Sequence, residues 1–376
     1  MTSVAANLAA FDMAMSIPAE DLHACVDHGL NAISKLCPEA VLPSAQWVLS
    51  ARAQELGIAP KGQCSANGTC RLLRCLDGWL GVNLPRHSDG ELLNPWLATD
   101  EPLSNWSMLT TAVASRNGLA LAARGREMGL PLAFVAANPS AEFPVDFVDS
   151  APSLLRDANM KSAPRQLAQA RVIDLSALWA GPLCAQLLHR CGAQVTTVSS
   201  MQRPDGAQFG SPDFYRQLHA GHERLQLDFS DVAHRVRLAE LLADADVVIE
   251  ASRPRGLVGL GLDRQSLTIA KPQVWLSITA YGRTPPADQW VGFGDDVAVS
   301  AGLLDWNKPH HPAFVGDAIA DPLTGVYAAL AVIDAMAQCE SGLLDFPMAA
   351  VAGRCRQKIV RTGHAIACPL QVTRTC

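Results

Sequence analysis

The stretch that decides the fold is RVIDLSALWAGPLCAQLLHRCGAQVTTV, residues 171–198. It opens with a short β-branched apolar run, passes through a small-residue turn and continues as GPLCAQLLHRCG, which reads as a helix stopped at Gly192. AQVTTVS (193–199) then returns to strand character. A strand, a helix and a strand in some thirty residues is the signature of parallel strands joined by a crossover helix. The rhythm continues downstream. DVAHRVRLAELLADA (231–245) reads as a helix, DVVIEA (246–251) as a strand, SLTIAKPQ (266–273) as a turn and VWLSITAYG (274–282) as a strand, before an apolar helix from Pro322 to about Ala337. The expected fold class is α/β: a doubly wound, mostly parallel Rossmann-like sheet, with a smaller α+β domain ahead of it.

Upstream, DLHACVDHGLNAISKLC (21–37) and SAQWVLSARAQELGI (44–58) place apolar residues at helical spacing. CRLLRCL (70–76), a DG turn and WLGVNL (79–84) predict a β-hairpin; NGLALAARGREMGL (117–130) predicts a helix and PLAFVAAN (131–138) a strand. The Pro/Ser/Asp-rich residues 138–166 read as a linker. The expected organisation is N-terminal helices and a small α+β domain over 1–150, a linker over 151–169, the large domain over 170–340, and a return segment and frayed tail over 341–376.

Composition narrows the function. With 376 residues, 49% of them hydrophobic, there is apolar mass for more than one core. The net charge of −6 and the lack of a long Lys/Arg run point away from nucleic acid. No uninterrupted apolar run reaches the length of a membrane span, and the first residues lack a basic n-region, so a cytoplasmic protein is expected. The eleven cysteines are scattered, with no CxxC and no zinc spacing, which favours free thiols and no metal. LSALWAGPLC is not GxGxxG, so a nicotinamide oxidoreductase is disfavoured. In doubly wound sheets ligands bind beyond the carboxyl ends of the strands. The loops there, 176–182, 199–206, 251–257 and 280–286, carry Arg203, Arg253, Arg255 and Arg283, suited either to a phosphorylated ligand or simply to solvent.

The segments 171–198, HAGHERLQLDFSD (219–231), LADADVVIEASRPRGLVGLGLD (242–263), VWLSITAYGRTPP (274–286) and IADPLTGVYAAL (319–330) together resemble, in order, the class III CoA-transferases, the CaiB/BaiF family. The resemblance implies an acyl-CoA:carboxylate CoA-transferase with no tightly bound cofactor, using coenzyme A and acyl-CoA as substrates, with a carboxylic acid as acceptor. It also implies an interlocked homodimer. GTCRLLRCLDGWLGVNLPRHSDGELL (68–93) with AARGREMGLPLAFV (122–135) resembles the family's small domain, which usually follows the large one; the chain is similar to a permuted member. SGLLDFPMAAVAG (341–353) resembles the segment joining the two domains in the ordinary order.

Local chemistry reads Asp321 as an N-cap with Pro322 at the first helical position. The resemblance makes it the catalytic nucleophile, followed by Gly325. A carboxylate at a helix N-terminus is expected to stay ionised at neutral pH, ready to attack a thioester. Asp317 has the wrong register for that role and reads as a solvated or turn acid. By the same resemblance, Leu178, Trp179 and Ala180 lie near the adenine and pantetheine, Arg203 meets the adenosine phosphates, and Ser252 and Arg253 occupy the segment where an aromatic residue usually precedes the arginine. For Trp179 an ordinary half-buried core position is the competing reading. Two alternatives stay open. A racemase or epimerase of the same family needs a second acid/base, but VGFGDDVAVSAGLL (291–304) has Phe293 at the usual His position and Gly294 at the usual Asp position. Asp295 and Asp296 are off register, and His310 and His311 read as a surface turn. A non-catalytic acyl-CoA-binding relative is the other.

Overall fold

A computed structural model of the chain describes residues 17–137, 151–157, 167–308, 311–362 and 372–375. In chain order its elements are α1 (Ala19–Leu36), α2 (Ala45–Leu56), β1 (Cys70–Arg74), β2 (Gly78–Asn83), α3 (His87–Glu91), α4 (Leu93–Leu97), α5 (Trp106–Ala114), α6 (Gly118–Glu127), β3 (Leu132–Ala136), β4 (Ser153–Arg156), β5 (Arg171–Asp174), α7 (Ala180–Arg190) and β6 (Gln194–Ser200). They continue with α8 (Ala207–Gly210), α9 (Pro212–Leu218), β7 (Glu223–Leu227), α10 (Val232–Asp244), β8 (Val247–Glu250), α11 (Arg255–Val258), β9 (Val274–Thr279), α12 (Gly294–Ser300), β10 (Leu304–Lys308), β11 (His311–Phe314), α13 (Ala320–Ala337), β12 (Gly342–Pro347), α14 (Met348–Thr362) and β13 (Thr373–Thr375).

The large sheet has eight strands in the order β13-β4-β12-β9-β8-β5-β6-β7. The six from β12 to β7 are all parallel. β5, β6 and β7 step outward in one direction; the chain then returns to the other side of β5 with β8 and proceeds through β9 to β12. The direction therefore reverses between β5 and β8, which leaves a crevice at their carboxyl ends.

Both faces are buried, which explains the near-continuous apolar runs in the central strands. Val172, Val247, Ile249, Val274, Leu276 and Phe346 face a core shared with α1, α7, α13 and α14. The alternate residues Ile173, Val248 and Trp275 face Leu238 and Leu242 of α10 on the opposite side. α13 is long and apolar enough to cross a membrane by length and composition, yet 78% of it is buried inside the fold, as befits a core helix. The second sheet, β1-β2-β3, is antiparallel throughout and carries its own apolar cluster, in which Leu73, Leu80 and Val82 pack against Trp96, Leu109 and Leu121. The hairpin predicted around Asp77-Gly78 forms there.

The structure differs from the sequence reading at three segments. Ser153–Arg156, expected within a linker, forms β4 and pairs antiparallel with β12. The expected return segment and tail instead supply β12 of the parallel sheet, the core helix α14 and the edge strand β13, which pairs with β4. The N-terminal helices join the large core rather than the small sheet: Val26 and Ile33 of α1 share a cluster with α13, and Tyr327 Oη donates to the Cys25 carbonyl at 2.9 Å. Short strands flanked by Pro, Ser and Asp carry too little periodicity to be read locally; long-range pairing makes them strands.

Candidate active site

At the reversal point lies a cleft of about 230 Å³. Its walls come from the loops after β5 (Ala177, Leu178), β8 (Ala251–Pro254) and β9 (Thr279, Ala280), from residues 287–293, and from Arg86 and Met348. The β5–α7 turn owes its shape to Asp174, whose carboxylate accepts from both the amide and the hydroxyl of Ser176. Gly181 closes the turn: a Cβ there would lie 2.1 Å from Ser176 Oγ. Leu178 adopts a left-handed φ of 70°, and its amide donates to Asp205 Oδ2 at 3.0 Å. A non-glycine residue in that region is strained, and the carboxylate bond holds it there.

Asp321 lines the same cleft. It is not the N-cap. Ile319 occupies that position and makes no side-chain cap, so Asp321 is the second residue of α13 and Pro322 the third. Among the described residues its carboxylate makes no hydrogen bond; only its amide does, to the Ala318 carbonyl at 2.8 Å. The purely capping role is thereby overturned, because the oxygens that would cap are directed to the cleft instead. Gly294 makes room for them: a Cβ there would lie 2.4 Å from Asp321 Oδ2.

Three further acids surround Asp321. Asp317, expected to be solvated, is buried. Arg52 of α2 grips it with both ends of its guanidinium, Nε donating to Oδ2 at 2.7 Å and Nη2 to Oδ1. Asp295 Oδ1 accepts from the Ala318 amide at 3.0 Å and so pins a second left-handed residue, with φ of 45°. Asp296 Oδ1 accepts from Asn83 Nδ2 at 2.7 Å and from the Phe293 amide at 3.0 Å. Burial, reinforced by the neighbouring carboxylates and offset by Arg52, pushes Asp321 up to about 7. Burial likewise raises Asp295 and Asp296 to about 7, the first reinforced by Asp317 and the second by Asp295. Asp321 is thus not fully ionised at neutral pH, contrary to the expectation for a helix N-terminus: low dielectric and like charges outweigh the dipole and the single guanidinium.

Of the residues singled out from sequence, Leu178, Ala180, Ser252, Arg253 and Asp321 line one cleft. Trp179 does not. It is buried and packs edge-on to Phe214 with ring centroids 5.0 Å apart, while the Arg52 guanidinium sits 5.0 Å over its ring. This is a core position, and the ring lies against the arginine that holds Asp317. Arg203 is exposed and outside the cleft lining, but its charge is felt there. Burial first, then Arg255, Arg86 and Arg203, lowers the Arg253 pKa; of these four cations Arg86 and Arg253 line the cleft. Arg283 is tied elsewhere, with Nη1 donating to Glu250 Oε1 at 3.0 Å and to Ser277 Oγ at 2.8 Å. Phe293 faces the cleft, whereas the carboxylates of Asp295 and Asp296 are buried outside its lining. His311 lies in β11, paired with Lys308, and His310 falls outside the described residues. Sequence reading missed Arg52 and Arg86. Arg52 stands in no motif, and Arg86 lies in the small-domain stretch 68–93 without a spacing that ties it to the cleft.

The model of CoA-transferase family III matches residues 167–342. A succinate–glutarate CoA-transferase of Agrobacterium fabrum is 29% identical over 210 residues, which is 50% of this chain and 52% of that one. The human succinyl-CoA:glutarate CoA-transferase is 27% identical over 178 residues, 45% of this chain and 41% of the relative. The chain thus spans about half the length of the curated relatives it matches. A solved CaiB/BaiF family protein from Brucella suis is 26% identical, with a TM-score of 0.46 over 54% of this chain and 60% of that one. The matched segment contains the parallel strands β5 to β9, the strand-end loops and Asp321; over that segment the chain is similar to CoA-transferase family III.

Proposed function

We propose that the protein moves CoA between an acyl-CoA and a carboxylic acid, with Asp321 as nucleophile and the parallel sheet as a Rossmann-like CoA-binding domain. The observation that carries this reading is a half-buried carboxylate, free of hydrogen bonds among the described residues, in a strand-end cleft that Arg86 and Arg253 also line. Ionised Asp321 attacks the thioester carbonyl; the C–S bond breaks and CoA thiolate leaves, giving an aspartyl mixed anhydride. The thiolate then attacks the aspartyl carbonyl and releases the donor acid, leaving an aspartyl-CoA thioester. The acceptor carboxylate attacks that thioester and frees the thiolate again, which takes the acceptor's acyl group and restores Asp321. Arg86 and Arg253, with Arg203 and Arg255 nearby, suit the phosphates of CoA. Ile278, Trp290, Val291 and Phe293 offer apolar wall for the acyl and pantetheine portions.

Phe293 in the cleft wall gives a racemase no second base. The small antiparallel sheet preceding the large one supports a permuted arrangement, and we expect a homodimer, for which a sedimentation mass of a single chain would be the contrary result. The test of the function is a trap. The protein is incubated with a panel of acyl-CoAs and hydroxylamine, and peptides are mapped by mass spectrometry. A hydroxamate on Asp321 with release of free CoA is expected. CoA binding without modification of Asp321 across the panel removes the nucleophile and leaves a binding protein.

A further inference from the structure

The end of α6, beside the small sheet, holds two arginines. Arg86, which lines the cleft, donates from Nη2 to the Gly129 carbonyl just past the helix at 2.8 Å. Arg126, in the last turn of α6, is buried, and its Nε donates to the Leu132 carbonyl of β3 at 2.9 Å. The Arg126 guanidinium also lies against two rings from the chain beyond β9. Its central carbon is 5.1 Å from the ring centroid of Tyr281 and 4.9 Å from that of Trp290. The two rings meet each other edge-on, 5.7 Å apart with 78° between their planes, so the three groups close a triangle. Tyr281 is buried in the main core, whereas Trp290 is half-buried and lines the cleft. Trp290 stands in the stretch 280–293 between β9 and α12, where the one helical element is the short turn Ala287–Gln289. A desolvated guanidinium over indole is the strongest form of cation–π contact, and a planar cation can serve two rings at once.

We propose that Arg126 is a positioning residue for the cleft: acting through Trp290, it fixes the wall against which an apolar acyl chain lies. Two members of the triangle are anchored elsewhere, Arg126 on β3 and Tyr281 in the core, so they hold the third. Ile278, Val291 and Phe293 line the cleft with Trp290, and its ring extends their apolar surface. An acyl chain gains affinity in proportion to the area it removes from water, and a wall that must first be ordered returns part of that gain. Removing the guanidinium therefore weakens binding through the acyl chain. It leaves Arg86 and Arg253, which suit the CoA phosphates, in the cleft. The acyl part of this inference rests on the CoA reading above; the clamp on Trp290 does not.

The test uses the full chain and two readouts. Calorimetry compares free CoA with hexanoyl-CoA for the unsubstituted chain, Arg126→Met, Trp290→Leu and the double variant. The unsubstituted chain is expected to bind hexanoyl-CoA more tightly than CoA. Arg126→Met is expected to lose about tenfold in affinity for hexanoyl-CoA, the scale of one desolvated cation–π contact, and little for CoA. Trp290→Leu is expected to lose the same preference, and adding Arg126→Met to it costs nothing more, as when one residue acts through the other. Hydrogen exchange is expected to quicken at the amides of 287–293 in Arg126→Met and to stay unchanged in β1, β2 and β3. Circular dichroism checks the fold; should Arg126→Met not fold, a preference retained in Trp290→Leu overturns the proposal by itself. Unchanged exchange at 287–293, additive losses in the double variant, equal losses for CoA and hexanoyl-CoA, or no preference in the unsubstituted chain would each overturn it as well. Failure of CoA transfer itself is seen separately, as binding of hexanoyl-CoA with no hydroxamate on Asp321.

Discussion

At Asp321 the competing terms can be weighed. A helix N-terminus and one guanidinium favour the charged form; burial and three acids oppose it, and the balance leaves the group near 7. A nucleophilic carboxylate must be ionised, so activity is expected to rise with pH through a limb near 7 and to flatten above it, measured as kcat/KM from pH 5 to 9. Asp321→Asn is expected to lower kcat by at least about 10³-fold, roughly 4 kcal/mol of barrier, without loss of CoA binding. The limb belongs to the interacting cluster rather than to one residue, and its position reports the neighbours. Asp295→Asn keeps the acceptor for the Ala318 amide but removes a negative charge, so the limb should move to lower pH. Arg52→Met removes the cation that opposes the rise at Asp321 and takes away the guanidinium that grips Asp317. The limb should move up by about one unit, which costs about tenfold in rate below it. Shifts of the same sign in both variants would refute this electrostatic account.

At the scale of elements, the two walls of the cleft are built alike. The loop before α7 turns at left-handed Leu178, held by Asp205; the loop before α13 turns at left-handed Ala318, held by Asp295. In each, a strained backbone is fixed by a carboxylate from another segment. Asp205→Ala is therefore expected to loosen the Leu178 loop and raise KM for the acyl-CoA by about tenfold, equivalent to the loss of one hydrogen bond to a charged group, with a smaller effect on kcat. Steady-state kinetics across an acyl-CoA concentration series separates the two parameters, and an unchanged KM would show that the loop does not contact the acyl-CoA. Elements with strong local periodicity, such as α7, β6, α10 and β9, were legible in the sequence because their apolar spacing is a local property. β4 and β13 were not, since four- and three-residue strands acquire their hydrogen bonds only from a partner far along the chain.

For the whole molecule, clustering buried acids opposes stability. Asp296 is wholly buried, with Oδ2 lacking a hydrogen-bond partner among the described residues, and its pKa near 7 lies above the unfolded value near 3.8. A raised carboxyl pKa means that the folded state holds the proton longer, so its penalty grows as pH rises from about 4 to 7 and is complete above 7. Asp296→Asn should accordingly raise Tm at pH 8, by roughly 2 °C or more, and raise it less at pH 5. Calorimetry at the two pH values checks the sign, and a larger gain at pH 5 would contradict it.

Sequence alone carried the alternating β/α order, the strand-end loops, the hairpin at residues 70–83 and the motif around Asp321, because each depends on residues close together in the chain. Only tertiary structure decided the environment of that aspartate. Arg52 reaches Asp317 across 265 residues of chain, Asn83 reaches Asp296 across 213, and Trp179 turns inward to support the arginine instead of lining the cleft. A pKa is set by everything within a few ångströms, whatever its distance in sequence, so the charge state of Asp321 became readable only once the folded chain had brought those groups together.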